Sequence, residues 1–353
     1  MNGKRRCTRH QVRHVGHVGH VKHVRHVLAP LTASVLATTA LCVAASATPA
    51  ASAASAAANP VSATNGFYVD PANPAAQWAA ANPSDGRASA IASAIGDKPM
   101  AKWFGAGSTD IGKDTGAYVG AAAAQDKLPV LVAYDIPNLD ICASGAGHGA
   151  ASDSAYDTWI AAFAGGISAR PALVILEPDS VADESCMSSS QISDRDGLLN
   201  NAITQFANQA PDTWVYLDAG NPGWLSASTM ATYLNAAGLA HAHGFSLNVS
   251  NFYTTARNVT YGNQINADLS ADYGYTKPFV IDTSRNGNGN GSDGQWCNPD
   301  GAKLGSTDQV GGGAEMLLWI KTPGESDGDC GTGSGTTAGQ FVPQIAYNLI
   351  YGY

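Results

Sequence analysis

The stretch ALVILEPDS, Ala172–Ser180, decides the fold. Five consecutive aliphatic residues read as a strand with no solvent-facing side. Strands buried on both faces belong to parallel sheets covered by helices. The run then breaks at Glu177-Pro178-Asp179. Short apolar runs of the same kind recur at Lys102–Phe104, Pro129–Tyr134, Trp214–Leu217, Phe245–Val249, Phe279–Ile281 and Leu317–Ile320. Helix-like segments separate them, at Thr115–Gln125, Ala155–Ile167, Arg195–Asn208 and Ser228–Ala237, with a last amphipathic stretch at Thr337–Tyr351. Apolar strands alternating with helices predict an α/β protein. At this length the expectation is a distorted, partly open parallel β/α barrel of about seven strands in a single domain.

The residues after each run carry the functional signal. Pro129–Tyr134 leads to Asp140, ALVIL to Asp179, WVYL to Asp218, SLNV to Asn251, FVI to Asp282 and LLWI to Lys321, Glu325 and Asp327. One such residue could simply cap a helix. Six strand ends with carboxylates or amides point instead to a site at the carboxyl ends of the strands, where parallel α/β folds build their active centres.

Composition narrows the class. The first 58 residues combine a basic start, a His-Val repeat, an apolar run and small-residue A-x-A-like sites, which predict a secretory signal peptide and low-complexity leader. The apolar run is short and Ala/Thr-rich for a membrane span. Residues 59–353 then form the catalytic domain, with 12 basic against 28 acidic residues, a formal charge of −16. That balance argues against nucleic acid as a partner and is compatible with a neutral polymer. Cys7 and Cys42 fall in the leader. Cys142, Cys186, Cys297 and Cys330 remain, and four cysteines in an exported chain suggest two disulfides, with three pairings open. No CxxC pair, P-loop or Ser-His-Asp set appears, and neither metal nor cofactor is implied.

A site of carboxylates and aromatics suggests glycoside hydrolysis, which needs a protonated carboxyl for the leaving oxygen and a second group acting on water or on the sugar. Asp179 follows a buried strand, so burial should raise its pKa and keep it protonated. Trp103, Trp224 and Trp296 flank the same segments and offer flat faces to sugar rings.

Four segments carry a resemblance. VAYDIPNLDIC (Val132–Cys142), LVILEPDSVA (Leu173–Ala182), VYLDAGNPGWL (Val215–Leu225) and LLWIKTPGESDG (Leu317–Gly328) are similar, in order, to motifs of glycoside hydrolase family 6, the inverting cellulases. The resemblance implies Asp179 as general acid, Asp140 as its proton-holding partner and Asp327 as proposed base. It implies sugar contacts at Tyr134, Trp103, Asp218, Asn221, Trp224, Asn251, Trp296, Lys321 and Glu325. It pairs Cys142 with Cys186 and Cys297 with Cys330. The chain departs from the family at Leu139, where an Arg is usual, at Cys142, one residue late, and at Asn221, where a His is usual. Loss of the Arg is expected to alter the protonation of Asp140 and of Asp179.

The expected function is a secreted, monomeric endo-β-1,4-glucanase acting on cellulose-type glucan. Modest loops near Gly289–Gln295 and Gly328–Thr336 favour an open cleft over the roofed site of a cellobiohydrolase. A related glycan such as mixed-linkage glucan or xylan is a second reading. A non-catalytic carbohydrate-binding protein, motivated by Leu139 and Asn221, is a third.

Overall fold

The computed structural model describes residues 60–105, 107–144, 148–289, 295–307 and 309–353. The leader predicted over residues 1–58 and the 290–294 part of the loop before Trp296 lie outside the described residues. Ser55–Tyr353 is one compact unit.

Eight strands form one sheet: β1 (Lys102–Phe104), β2 (Val130–Ala133), β3 (Ala172–Leu176), β4 (Thr213–Asp218), β5 (Gly244–Leu247), β6 (Phe279–Asp282), β7 (Gln309–Val310) and β8 (Met316–Leu318). Their order is β1-β2-β3-β4-β5-β6-β8-β7. All seven expected strands are present and run parallel to one another. The eighth, β7, is a two-residue strand antiparallel to β8, with both residues exposed. It lacks the apolar run that marks the others, so nothing in the pattern announced it. The sheet curls until β1 meets β8. There the Ala101 amide donates to the Trp319 carbonyl (2.8 Å) and the Trp103 indole to the Ile320 carbonyl (2.8 Å), a seam without a full ladder. The protein is therefore a single-domain α/β fold with a curled, partly open half-barrel.

Side-chain parity positions the site. Successive residues of a strand face opposite sides. Val130, Val132, Leu173, Ile175, Tyr216, Val280, Met316 and Leu318 fill the barrel interior as one buried cluster. Their alternates, among them Leu131, Val174, Val215, Leu217, Phe245 and Ile281, pack outward with the helices. Two residues beyond the interior set, the same parity delivers Tyr134, Asp218 and Asp282 to the barrel's carboxyl mouth. Burying carboxylates there, over an apolar plug, costs free energy unless they are hydrogen-bonded.

The covering helices start where side chains accept their first free amides. Ser152 caps Asp153–Ile167 and Ser226 caps Ala227–Ala236. Ser188 and Gln191 form a reciprocal capping box that opens Ser189–Gln209, so this helix begins six residues before the expected start. The last helix is shorter than expected, Pro343–Tyr351, because Pro343 occupies its first turn and residues before it bond to the Gly324–Ser326 loop. No helix among the described residues is long and apolar enough to cross a membrane.

Candidate active site

Asp179 sits at the centre of the mouth. Its loop is tight: Glu177 and Asp179 both take positive φ, 48° and 70°. Asp218 holds that loop. Its carboxylate is buried and accepts from the Asp179 amide (3.0 Å), the Gly220 amide (3.0 Å) and the Ser246 hydroxyl (2.8 Å). Burial pushes Asp218 up to about 6, against the pull of those donors. Burial, together with the carboxyls of Asp218, Asp140 and Asp183, raises Asp179 well above the usual carboxylate range. A group so placed holds its proton to higher pH than an ordinary carboxyl and can donate it.

Asp140 stands opposite, on a loop whose Asn138 and Asp140 also have positive φ. The Tyr134 hydroxyl donates to Asp140 Oδ1 (3.2 Å). Burial and the neighbouring carboxyls of Asp179 and Asp140 raise the Tyr134 phenol, so it remains a neutral donor. Its ring meets Trp103 edge-on at 5.2 Å between centroids. Gly105, just past β1, permits this approach: a Cβ there would lie 2.5 Å from the Tyr134 carbonyl oxygen.

The third aspartate is held by a cation. Arg285 Nη1 donates to both Asp327 oxygens (2.9 and 2.8 Å), and its guanidinium lies 4.3 Å from the Phe252 ring centroid. Arg285 is 2% exposed. The Asn298 amide adds a bond to Asp327 Oδ2 (3.0 Å). Lys321 and Glu325 face each other at 3.8 Å. Burial lowers the lysine and raises the glutamate, each partly offset by the other. Lys321 also approaches the Trp103 ring at 5.9 Å.

The aromatic candidates divide. Trp296 is 52% exposed and lines a cavity of about 720 Å³ with Asn298, Asp300 and Asp327. Trp103 lines a second cavity of about 570 Å³. Trp224 is half-buried beside Gly220. Two amides turn to their own loops: Asn221 accepts from the Gly223 amide (3.0 Å), and Asn251 from the Phe252 amide (3.0 Å). The structure therefore gathers Asp179, Asp140, Asp218, Tyr134 and Trp103 on one side, and Asp327, Lys321 and Glu325 on strand-end loops of the same mouth.

The disulfides are Cys142–Cys186 (Cα–Cα 5.4 Å) and Cys297–Cys330 (6.0 Å), the pairing the family resemblance implied. The first ties the Asp140 loop to the segment after Asp179. The second holds the loop after Asp327. Among the described residues no cluster of three or more His, Cys, Asp or Glu could hold a metal ion.

Four further residues build the site without having been given a role in it from sequence. Asp282 accepts from the amides of Ser284, Ser250, Ile320 and Lys321, so one buried carboxylate joins three loops. Glu177 accepts from the Asp135 and Ile136 amides (2.9 and 3.1 Å) under the Asp140 loop. Burial lifts Glu177 to about 8. Arg285 fixes Asp327. Arg195, on the helix Ser189–Gln209, is 2% exposed and donates to the carbonyls of Ser180 (2.8 Å), Pro137 (2.7 Å) and Asn138 (3.1 Å). Position 139 carries no cation: Leu139 is buried in the outer core, and the guanidinium serving this loop comes from Arg195 instead.

The raised carboxyls have a consequence for stability. Folded Asp218 and Glu177 keep protons to higher pH than the unfolded chain does, so unfolding releases protons. The stability this confers is complete below the ordinary carboxylate range and is lost as pH rises through about 6 and then about 8. Urea unfolding followed by tryptophan fluorescence should give a lower midpoint at pH 8 than at pH 5. A midpoint that rises with pH would contradict these assignments.

The comparisons with known proteins agree on one family. The model of glycosyl hydrolases family 6 matches residues 62–352. Endoglucanase 1 of Streptomyces halstedii is 63% identical over 296 residues, covering 84% of this chain and 92% of that protein. Endoglucanase A of Thermobispora bispora is 40% identical over 290 residues, and the chain spans only 61% of its length. The solved endoglucanase Cel6 of Mycobacterium tuberculosis, in complex with methyl-cellobiosyl-4-deoxy-4-thio-β-D-cellobioside, superposes with a TM-score of 0.75 at 40% identity, covering 84% of this chain and 99% of that one. With a match across nearly the whole described region and carboxyls gathered at the barrel mouth, the chain belongs to glycosyl hydrolases family 6 and is a glycoside hydrolase.

Proposed function

We propose that the protein is a secreted endo-β-1,4-glucanase that hydrolyses cellulose-type glucan with inversion. The observation that carries this reading is the placement of Asp179: it follows a fully buried strand, its loop is held by the buried Asp218, and burial with the neighbouring carboxyls of Asp218, Asp140 and Asp183 favours its protonated form. In a single displacement, Asp179 gives its proton to the leaving oxygen while a second carboxylate takes one from the attacking water. Asp140 and Asp327 are the two acceptors to weigh. Asp327 has both oxygens engaged by Arg285, and Asp140 Oδ1 accepts from the Tyr134 hydroxyl. Both remain candidates for the water's proton, with Arg285 fixing Asp327 in the facing wall. Asp218 holds the acid's loop. Tyr134, Trp103, Trp224 and Trp296 supply aromatic faces for the sugar rings. Lys321, Glu325, Asn251 and Asn221 supply hydrogen bonds, the last two after release from their own loops.

Endo action is supported by the relatives named endoglucanase at 63% and 40% identity. Export fits the leader at residues 1–58 and the two disulfides. Reducing-end release from carboxymethyl-cellulose, with a fast viscosity drop, is the expected result. Proton NMR of early cello-oligosaccharide products should show the α-anomer first. A β-anomer appearing first would refute inversion, and no release from any β-1,4-glucan would refute the enzyme reading.

A further inference from the structure

The carboxyl end of the chain carries an aromatic surface that the site does not use. Tyr347, Tyr351 and Tyr353 form a run of touching rings: 4.8 Å between the first two centroids and 5.7 Å between the last two, whose planes differ by 19°. Tyr351 is 45% exposed and Tyr353 64%. Single exposed aromatics are ordinary, but a contiguous cluster on a protein surface marks a binding face.

The rings are held in place. Gly352 closes the helix in the left-handed conformation, its amide bonded to the Asn348 carbonyl (2.7 Å). The Tyr353 amide bonds the same carbonyl (3.2 Å), and its own carbonyl accepts from the Gly301 amide (3.0 Å). Asn288 donates to the Gly301 carbonyl (2.8 Å). The patch is thus tied to the loop that carries Trp296 and Asn298. Tyr353 lines a small cavity with Asn298, Pro299 and Thr332, and these three also line the cleft cavity beside Trp296 and Asp327. The aromatic surface is continuous with the cleft wall.

We infer that Tyr347, Tyr351 and Tyr353 form a secondary binding patch for a β-1,4-glucan chain, outside the catalytic mouth. This inference rests on the proposed glucanase function. Tyrosine rings present large apolar area with a polar tip, which suits the apolar faces and hydroxyl edges of a sugar. The side-chain amides of Gln344 and Asn348 lie on the same helix and can serve ring hydroxyls. The mature chain's excess of acidic residues favours a neutral polymer over an anionic one.

Binding to hydroxyethylcellulose is measured by affinity electrophoresis in the Asp179→Asn background, with cellotetraose present in excess to occupy the cleft. Adding Tyr351→Ala and Tyr353→Ala should weaken the remaining retardation about tenfold, equivalent to two lost aromatic contacts. The same two substitutions in otherwise wild-type protein should leave cellotetraose hydrolysis unchanged. Retardation equal to that of the Asp179→Asn protein overturns the patch, as does a parallel loss of cellotetraose hydrolysis. A dimer that the substitutions dissociate, with retardation intact, assigns the surface to a second copy and also overturns it. If wild-type protein releases no reducing ends from any β-1,4-glucan, the glucanase reading fails first and takes the ligand assignment with it.

Discussion

Asp179→Asn should fold, bind cello-oligosaccharides, and lose about 10²–10⁴-fold in kcat, the range for removing a general acid. The choice of asparagine matters. Residue 179 has φ 70°, a left-handed conformation that asparagine tolerates and alanine resists. Its amide still donates to Asp218, so the loop survives the substitution. The asparagine side chain fills the same space and cannot give up a proton to the leaving oxygen. The defect should therefore track the leaving group. With an aryl cellobioside whose phenol is strongly acidic, the leaving oxygen needs no proton, and most of the loss should disappear. KM for cellotetraose should change little, because the missing interaction belongs to the transition state. An equal loss on both substrates would remove Asp179 from the acid role. In the wild type, activity should fall on the alkaline side as Asp179 gives up its proton, and Asp179→Asn should lack that limb. The direction follows from the raised state of the acid: its protonated form is the active one.

Much of this was legible in the sequence, for reasons particular residues make clear. The seven parallel strands announce themselves because both faces are buried, so VLVA and ALVIL leave no polar interruptions. Asp179, Asp218 and Asp282 are legible because ALVIL, WVYL and FVI each break onto a carboxylate within three residues. The helix Thr255–Tyr273 is different. It is 19 residues long and went unrecognised in the pattern, since its buried stripe includes Asn258, Tyr261 and Gly262 where an apolar reading expects leucines. Gly262 is small because the Phe279 ring lies against it: a Cβ would sit 2.7 Å from Cζ. Asn258 is buried because its amide caps the Tyr253 and Thr254 carbonyls (3.0 Å each). Tertiary needs overrode the periodic signal at both positions. The supporting charges were hidden for a similar reason. Asp282 and Arg285 stand three residues apart at a strand end, yet nothing local reveals that one gathers three loops and the other meets an aspartate 42 residues on. Read from the sequence alone, Leu139 removes a cation from the Asp140 loop. Only the folded chain shows Arg195 reaching it from 58 residues away.

That reach makes Arg195→Met the second large effect. The guanidinium ties the Pro137–Asn138 backbone to Ser180, so one side chain fixes the separation of the loops bearing Asp140 and Asp179. Burial lowers the Arg195 pKa, an effect that the acidic groups Glu177, Asp183 and Glu184 beside it partly offset. Methionine fills similar volume, removes the charge and leaves three carbonyls without their donor. Breaking a buried charged network from one side costs about 3–5 kcal/mol, so the urea midpoint should fall clearly. Catalysis should fall further than folding explains. In the folded protein kcat should drop about tenfold or more, as small displacements of catalytic groups do, with KM for cellotetraose nearly unchanged. Arg195→Lys separates the two parts. It restores a positive charge but not a planar fork that bonds two loops at once. It should recover most of the stability and little of kcat. If Arg195→Lys recovers both alike, the residue contributes charge alone. If Arg195→Met keeps wild-type kcat once folded, the two aspartate loops are positioned by Glu177 and the Cys142–Cys186 bridge without it.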